Sequence, residues 1–158
     1  MSSSKQSHNN FSDLSKGLNQ KTKEFQNLNL IQEQKALELI NQGKLQEAEA
    51  IYRELINAGT TSHIVYGNLA ALCGMRGEKN ERIELLNTAL KLNPAFPEAH
   101  SNLGIAMQEK GDLNAAINSY KQAIKLKPNY SDAYNNLGTA LKEKGELNAA
   151  VESYKKAI

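Results

Sequence analysis

The chain has 158 residues, a mass of 17.4 kDa and a formal net charge of +2, with 40% apolar and 23% charged residues. That is enough apolar material for one packed domain or several small stacked units, and it excludes disorder of the whole chain. Residues 1–26 hold four Lys and two acids while residues 27–158 hold fifteen of each sign, so the body is neutral and offers neither a nucleic-acid groove nor a polybasic membrane surface.

The N-terminal stretch, Met1 to about Gln20, is rich in Ser, Asn, Lys and Gln, and residues 1–26 are expected to form a disordered or weakly ordered tail. It has no apolar h-region, so no secretory leader is expected and the expected address is the cytoplasm. Within it Phe11, Leu14 and Leu18 line up as one short amphipathic turn able to dock on the body. No apolar run approaches the ~20 residues of a membrane span. The single cysteine, Cys73, excludes an intrachain disulfide and a thiolate zinc site.

From residue 27 the chain reads as helix after helix. Twenty Leu, eighteen Ala and ten Ile stand against two Val and no Trp, a composition that predicts an all-α fold. Apolar periodicity predicts helices at 27–41, 45–57, 62–76, 79–92, 97–110, 113–126, 131–144 and 147–158. These fall into pairs, because residues 97–124 and 131–158 are identical at 17 of 28 positions at an offset of 34. The same offset links Gly43, Gly77, Gly111 and Gly145, and also Leu69, Leu103 and Leu137. Each of those glycines falls between the two helices of a pair, where a helix C-terminus favours a left-handed residue. Asp112 is placed to cap the following helix, and Glu146 is a poorer substitute. Pro94 and Pro128 end the second helices. Ala99, Leu103, Ala106 and Met107 mark one apolar stripe, and Ala116, Ile117, Tyr120 and Ile124 the other. Small residues at Gly104, Gly138, Ala116 and Ala150 allow close approach, with Tyr120 and Tyr154 filling wider gaps.

The 34-residue period, carrying Leu-Gly, then Gly, then Ala, an aromatic, Ala and Pro, resembles the tetratricopeptide repeat. The resemblance implies an α-solenoid of stacked antiparallel helix pairs over residues 27–158. Its repeats are about 29–62, 63–96, 97–130 and 131–158, the last incomplete. The copies are unequal: Lys35 stands at the Leu position, Thr60 at the Pro position, Arg82 replaces the usual Ala, and Cys73 sits on a core stripe.

In such a stack the first helix of every repeat lines a concave face. Asn68, Asn102 and Asn136 recur there at the 34-residue spacing, with Gln34 in the first copy. Asn offers a donor and an acceptor, which suits the amides of an extended peptide. The pattern resembles the asparagine ladder in the repeat arm of O-GlcNAc transferases; the competing reading is that these amides hydrogen-bond the next repeat. Neighbouring groove candidates are Ser101, Asn135, Ile105, Thr139, Leu37 and Ala71. A carboxylate clamp is not expected, since Glu33, Gly67, Ser101 and Asn135 occupy the matching positions and Lys142 alone cannot make one.

Catalysis is not expected. Cys73 and His100 could approach each other across adjacent first helices, but both occupy packing positions, and buried cysteine is usually inert. No metal set or phosphate loop is present in the sequence, and no cofactor is implied. Runs such as Gln108-Glu109-Lys110 read as solvated helix faces. The expected function is a protein-interaction scaffold that holds an extended peptide. The alternative is the substrate-recruiting arm of a larger enzyme of the O-GlcNAc transferase type. The last helices leave Ala and Leu uncovered, so continuation of the chain, or self-association through that end, is expected.

Overall fold

The computed structural model describes residues 3–158, with side chains described from Gly17 onward except that of Leu18. Among the described residues the fold is all-α, with eight helices: α1 (Ser3–Asn41), α2 (Leu45–Asn57), α3 (His63–Met75), α4 (Lys79–Leu92), α5 (Pro97–Glu109), α6 (Leu113–Leu126), α7 (Ser131–Glu143) and α8 (Leu147–Ala157). No helix among them is long and apolar enough to cross a membrane. Two compact units are distinguished, Met1–Leu55 and Ile56–Ile158.

In the first unit, α1 begins far upstream of the expected start at residue 27. Between Ser3 and Asn41 there is no proline and one glycine, Gly17, so nothing in the sequence interrupts the helical hydrogen bonds. The described side chains from Gly17 to Leu28 are exposed, and this part of α1 is helical without being packed. The expected boundary between residues 26 and 27 therefore falls inside a helix. The side chains of Phe11, Leu14 and Leu18, and with them their expected docking, lie outside the described residues. Burial begins at Ala36 and Leu39 and continues in α2 with Ala48, Ile51, Tyr52 and Leu55.

The second unit contains three helix pairs, α3–α4, α5–α6 and α7–α8, stacked as a short α-solenoid. Here the observed helices match the expected ones to within a residue at each end. Each pair turns on a glycine with positive φ: Gly77 (77°), Gly111 (85°) and Gly145 (89°), with Gly43 (75°) doing the same after α1. The residue after each glycine donates its N–H five residues back, Lys44 to Leu39, Glu78 to Cys73, Asp112 to Met107 and Glu146 to Leu141, at 2.8–3.0 Å. These are Schellman closures, which satisfy carbonyls that a helix end leaves open. The Asp112 side chain accepts from Ala115 N at 3.0 Å, whereas Glu146 makes no such cap.

The interior of each pair follows from a size exchange. A Cβ added at Gly104 would sit 2.5 Å from the Tyr120 ring, and one at Gly138 would sit 2.7 Å from the Tyr154 ring. Glycine on the first helix thus admits the aromatic of the second. Ala116, Ile117 and Tyr120 of α6 then pack on Leu137, Ala140 and Leu141 of α7, so one pair's second helix is covered by the next pair's first.

Candidate functional site between two first helices

Consecutive first helices lie side by side in the second unit: α3 packs on α5, and α5 on α7, while among the described residues no comparable packing joins α4 to α6 or α6 to α8. Side chains along the first helices therefore share a face. Between α5 and α7 this face opens into a cleft of about 420 Å³, lined by Ile105, Gln108, Glu109, Tyr120, Asn136, Thr139 and Glu143.

Three expected groove residues, Ile105, Asn136 and Thr139, meet in this cleft from two different helices. Asn68 and Asn102 are half-buried on α3 and α5, and the backbone carbonyl of Asn102 accepts from Arg82 Nη2 at 3.3 Å. Thr139 Oγ1 donates to Asn135 O at 3.1 Å and lies 3.2 Å from the Tyr154 hydroxyl. Gln34 and Leu37 are exposed on α1 in the first unit, and Ala71 is exposed on α3.

Ser101, also expected in the groove, is only 3% exposed. In the segment that leads into the next pair, Tyr130 lies near Ser101; at the equivalent place Phe96 lies against Gly67, where an added Cβ would be 2.8 Å from the Phe96 ring. Phe96 and Tyr130 are themselves 34 residues apart, a signal that was available in the sequence. Burial pushes the Tyr130 phenol above its ordinary pKa, and the Ser101 hydrogen bond opposes the shift. Asn135, at the same repeat position in α7, is exposed.

Gln108 and Glu109, expected on a solvated helix face, line the open cleft, with Glu109 exposed and Gln108 half-buried. The Tyr120 hydroxyl donates to Gln108 Oε1 at 3.0 Å, and Gln108 Nε2 donates to Glu143 Oε1 at 2.8 Å. Tyr120 is fully buried, and desolvation raises its phenol pKa strongly; the nearby carboxylates of Glu109 and Glu143 add to the rise and Arg82 opposes it. Glu109 meets a different partner. Arg82 Nη1 donates to both of its carboxylate oxygens at 3.2 Å, and Lys79 Nζ donates to its backbone carbonyl at 3.2 Å. Arg82 is 6% exposed, and its Nε is the one buried side-chain polar atom without a partner among the described residues. Glu109 and Glu143 also recur at 34 residues, which could have flagged this wall from the sequence.

The residues weighed for catalysis are engaged elsewhere. Cys73 is buried, with the Arg76 guanidinium 3.8 Å from its sulfur, and His100 Nε2 lies 3.0 Å from the Pro94 carbonyl. His63 sits 3.0 Å from Asn93 Nδ2 and edge-on to the Phe96 ring. Cys73, Glu78 and Glu81 place potential ligand atoms within 4.8 Å of one another, but Arg76 is bound to Glu78 at 2.7 Å and already supplies the positive charge there.

Comparison with known proteins fits this geometry. The tetratricopeptide repeat model matches residues 76–111 and 108–145. Over these residues the chain is similar to tetratricopeptide repeats. Two crystal structures of MamA are each 28% identical, with TM-scores of 0.74 and 0.73; the match covers 80% of this chain and 74% and 69% of theirs. YrrB, described as a TPR protein with an unusual peptide-binding site, is 21% identical with a TM-score of 0.69, over 78% of this chain and 63% of its own. At that identity it speaks for the fold alone. No curated protein sequence matches the chain.

Proposed function

We propose that the chain is a protein-interaction scaffold that holds an extended segment of a partner protein along the face shared by α3, α5 and α7. The observation that carries this reading is the cleft itself, which joins Ile105 of α5 to Asn136 and Thr139 of α7 in one open, mixed polar and apolar wall. A rigid stack offers such a wall with little reorganisation, so the ordering cost of binding falls mainly on the peptide. Asn68, Asn102 and Asn136 would supply amides to the peptide backbone at repeated intervals, a grip that depends weakly on peptide sequence. The peptide-binding site ascribed to YrrB, a protein of the same fold, is consistent with this use of the architecture.

The test is peptide capture by the full chain, using binders selected from a random phage-displayed library. The double variant Asn102→Ala and Asn136→Ala is expected to weaken the affinity of a selected peptide by about 1 kcal/mol per lost hydrogen bond. Unaltered affinity rejects the amide ladder.

A further inference from the structure

Resting on the peptide-groove reading, we infer that the α5–α7 cleft selects a basic side chain, lysine or arginine, on the bound segment. Its stem would lie along Ile105 and its charge at Glu143.

The two carboxylates of this wall are not equivalent. Glu109 receives the Arg82 guanidinium on both oxygens, so its charge is balanced from within the fold. Glu143 receives only the neutral amide of Gln108, and no cation lies within ion-pair distance of it among the described residues. The nearest basic groups on the α4 side are already committed, Arg82 to the Glu109 carboxylate and Lys79 to the Glu109 carbonyl. One unbalanced anion therefore remains at the cleft.

That anion is held in place. The buried Tyr120 hydroxyl fixes the Gln108 carbonyl, which turns the amide N–H of the same side chain onto Glu143. Such a chain of donors orients the carboxylate before any ligand arrives. Ile105, beside it, is the apolar surface that a long aliphatic stem needs, because lysine and arginine bury their methylenes while keeping the charge at a polar site. At about 420 Å³ the cleft falls in the range of ligand pockets and is larger than one side chain requires. An acidic side chain at the same place would meet Glu143 as a like charge, and a neutral one would leave the carboxylate no better paired than before.

The experiment is a parallel selection of random phage-displayed dodecapeptides on the full chain and on its E143Q variant. Wild-type chain is expected to enrich Lys or Arg at one fixed position, and E143Q is expected to select binders without that enrichment. For the strongest wild-type peptide, exchanging the basic residue for norleucine should weaken binding about fivefold, the upper end for an exposed ion pair. The same exchange should leave E143Q binding unchanged, and 0.5 M NaCl should shrink the wild-type difference. Binders with no favoured basic position, or a basic preference that survives in E143Q, overturn this inference and leave the groove reading standing. A selection that yields no binder overturns both.

Discussion

Where α6 carries Tyr120, α4 carries Leu86, and where α6 carries Ala116, α4 carries Arg82. The two helix pairs place their largest buried side chain at different repeat positions, and each is matched by a glycine on the first helix. Gly104 makes room for Tyr120, and Gly74 makes room for Arg82, whose atoms would lie 3.1–3.2 Å from an added Cβ. The chemistry of the fill then decides how a pair is tied to its neighbour. The phenol stays within its own pair and reaches Gln108. The guanidinium cannot be satisfied at home and reaches across to Glu109 of the next pair. A fixed repeat register thus tolerates different side chains where a facing glycine makes room, the polar group being met within its own pair for Tyr120 and from the next pair for Arg82.

Removing the aromatic fill has the largest effect. Tyr120→Ala should cost about 3–5 kcal/mol in urea unfolding, the range for deleting a large buried aromatic. Gly104→Ala alone should destabilise, because its Cβ would be 2.5 Å from a buried ring that cannot swing away. In the Tyr120→Ala background the same change should become stabilising by up to about 1 kcal/mol, the helix-propensity gain of Ala over Gly. A change of sign between backgrounds is the signature of size exchange; equal effects in both would refute it.

The ion pair gives a smaller effect. Glu109→Ala leaves a buried guanidinium with the Asn102 carbonyl as its remaining acceptor and should cost about 2 kcal/mol. That is below the range for fully buried pairs because Glu109 itself is 41% exposed. Arg82→Met keeps the linear stem without the charge and should fall within about 1 kcal/mol of wild type. If the methionine variant loses as much as Glu109→Ala, the pair contributes net stability and not only a constraint on what faces Arg82.

How much of this was legible depended on whether the signal lay within one repeat or between two. The helix pairs were readable because Gly43, Gly77, Gly111 and Gly145 each act through a local turn, and residues 97–158 nearly repeat themselves. The burial of Ser101 is not legible within its own repeat, whereas its repeat equivalent Asn135 is exposed. Gln108 and Glu109 are solvent-facing as the sequence suggests, but that they line a cleft depends on α7, which supplies the other side of the wall. Arg82 stood out as a departure from the pattern, but only the fold names its partner. The upstream reach of α1 was hidden by composition, since a polar stretch without a buried stripe reads as a tail even when nothing in it stops a helix.

The Tyr120 phenol also makes stability depend on pH. The Tyr120 pKa is raised above its unfolded value of 10.0, chiefly by burial, so the folded state holds the proton that the unfolded state releases. Its contribution is fully present below pH 10 and is lost as pH rises further, by about 1.4 kcal/mol per unit. Tyr120→Phe at neutral pH forfeits the hydrogen bond to Gln108 and should be less stable than wild type by about 1 kcal/mol. The other tyrosines are common to both proteins and cancel in the difference, so the two stability curves should cross at about pH 11, above which the phenylalanine variant is the more stable. Urea midpoints measured from pH 7 upward check this. Parallel curves would mean that the Tyr120 hydroxyl titrates freely, and then it could not be the fixed donor that orients Gln108 toward Glu143.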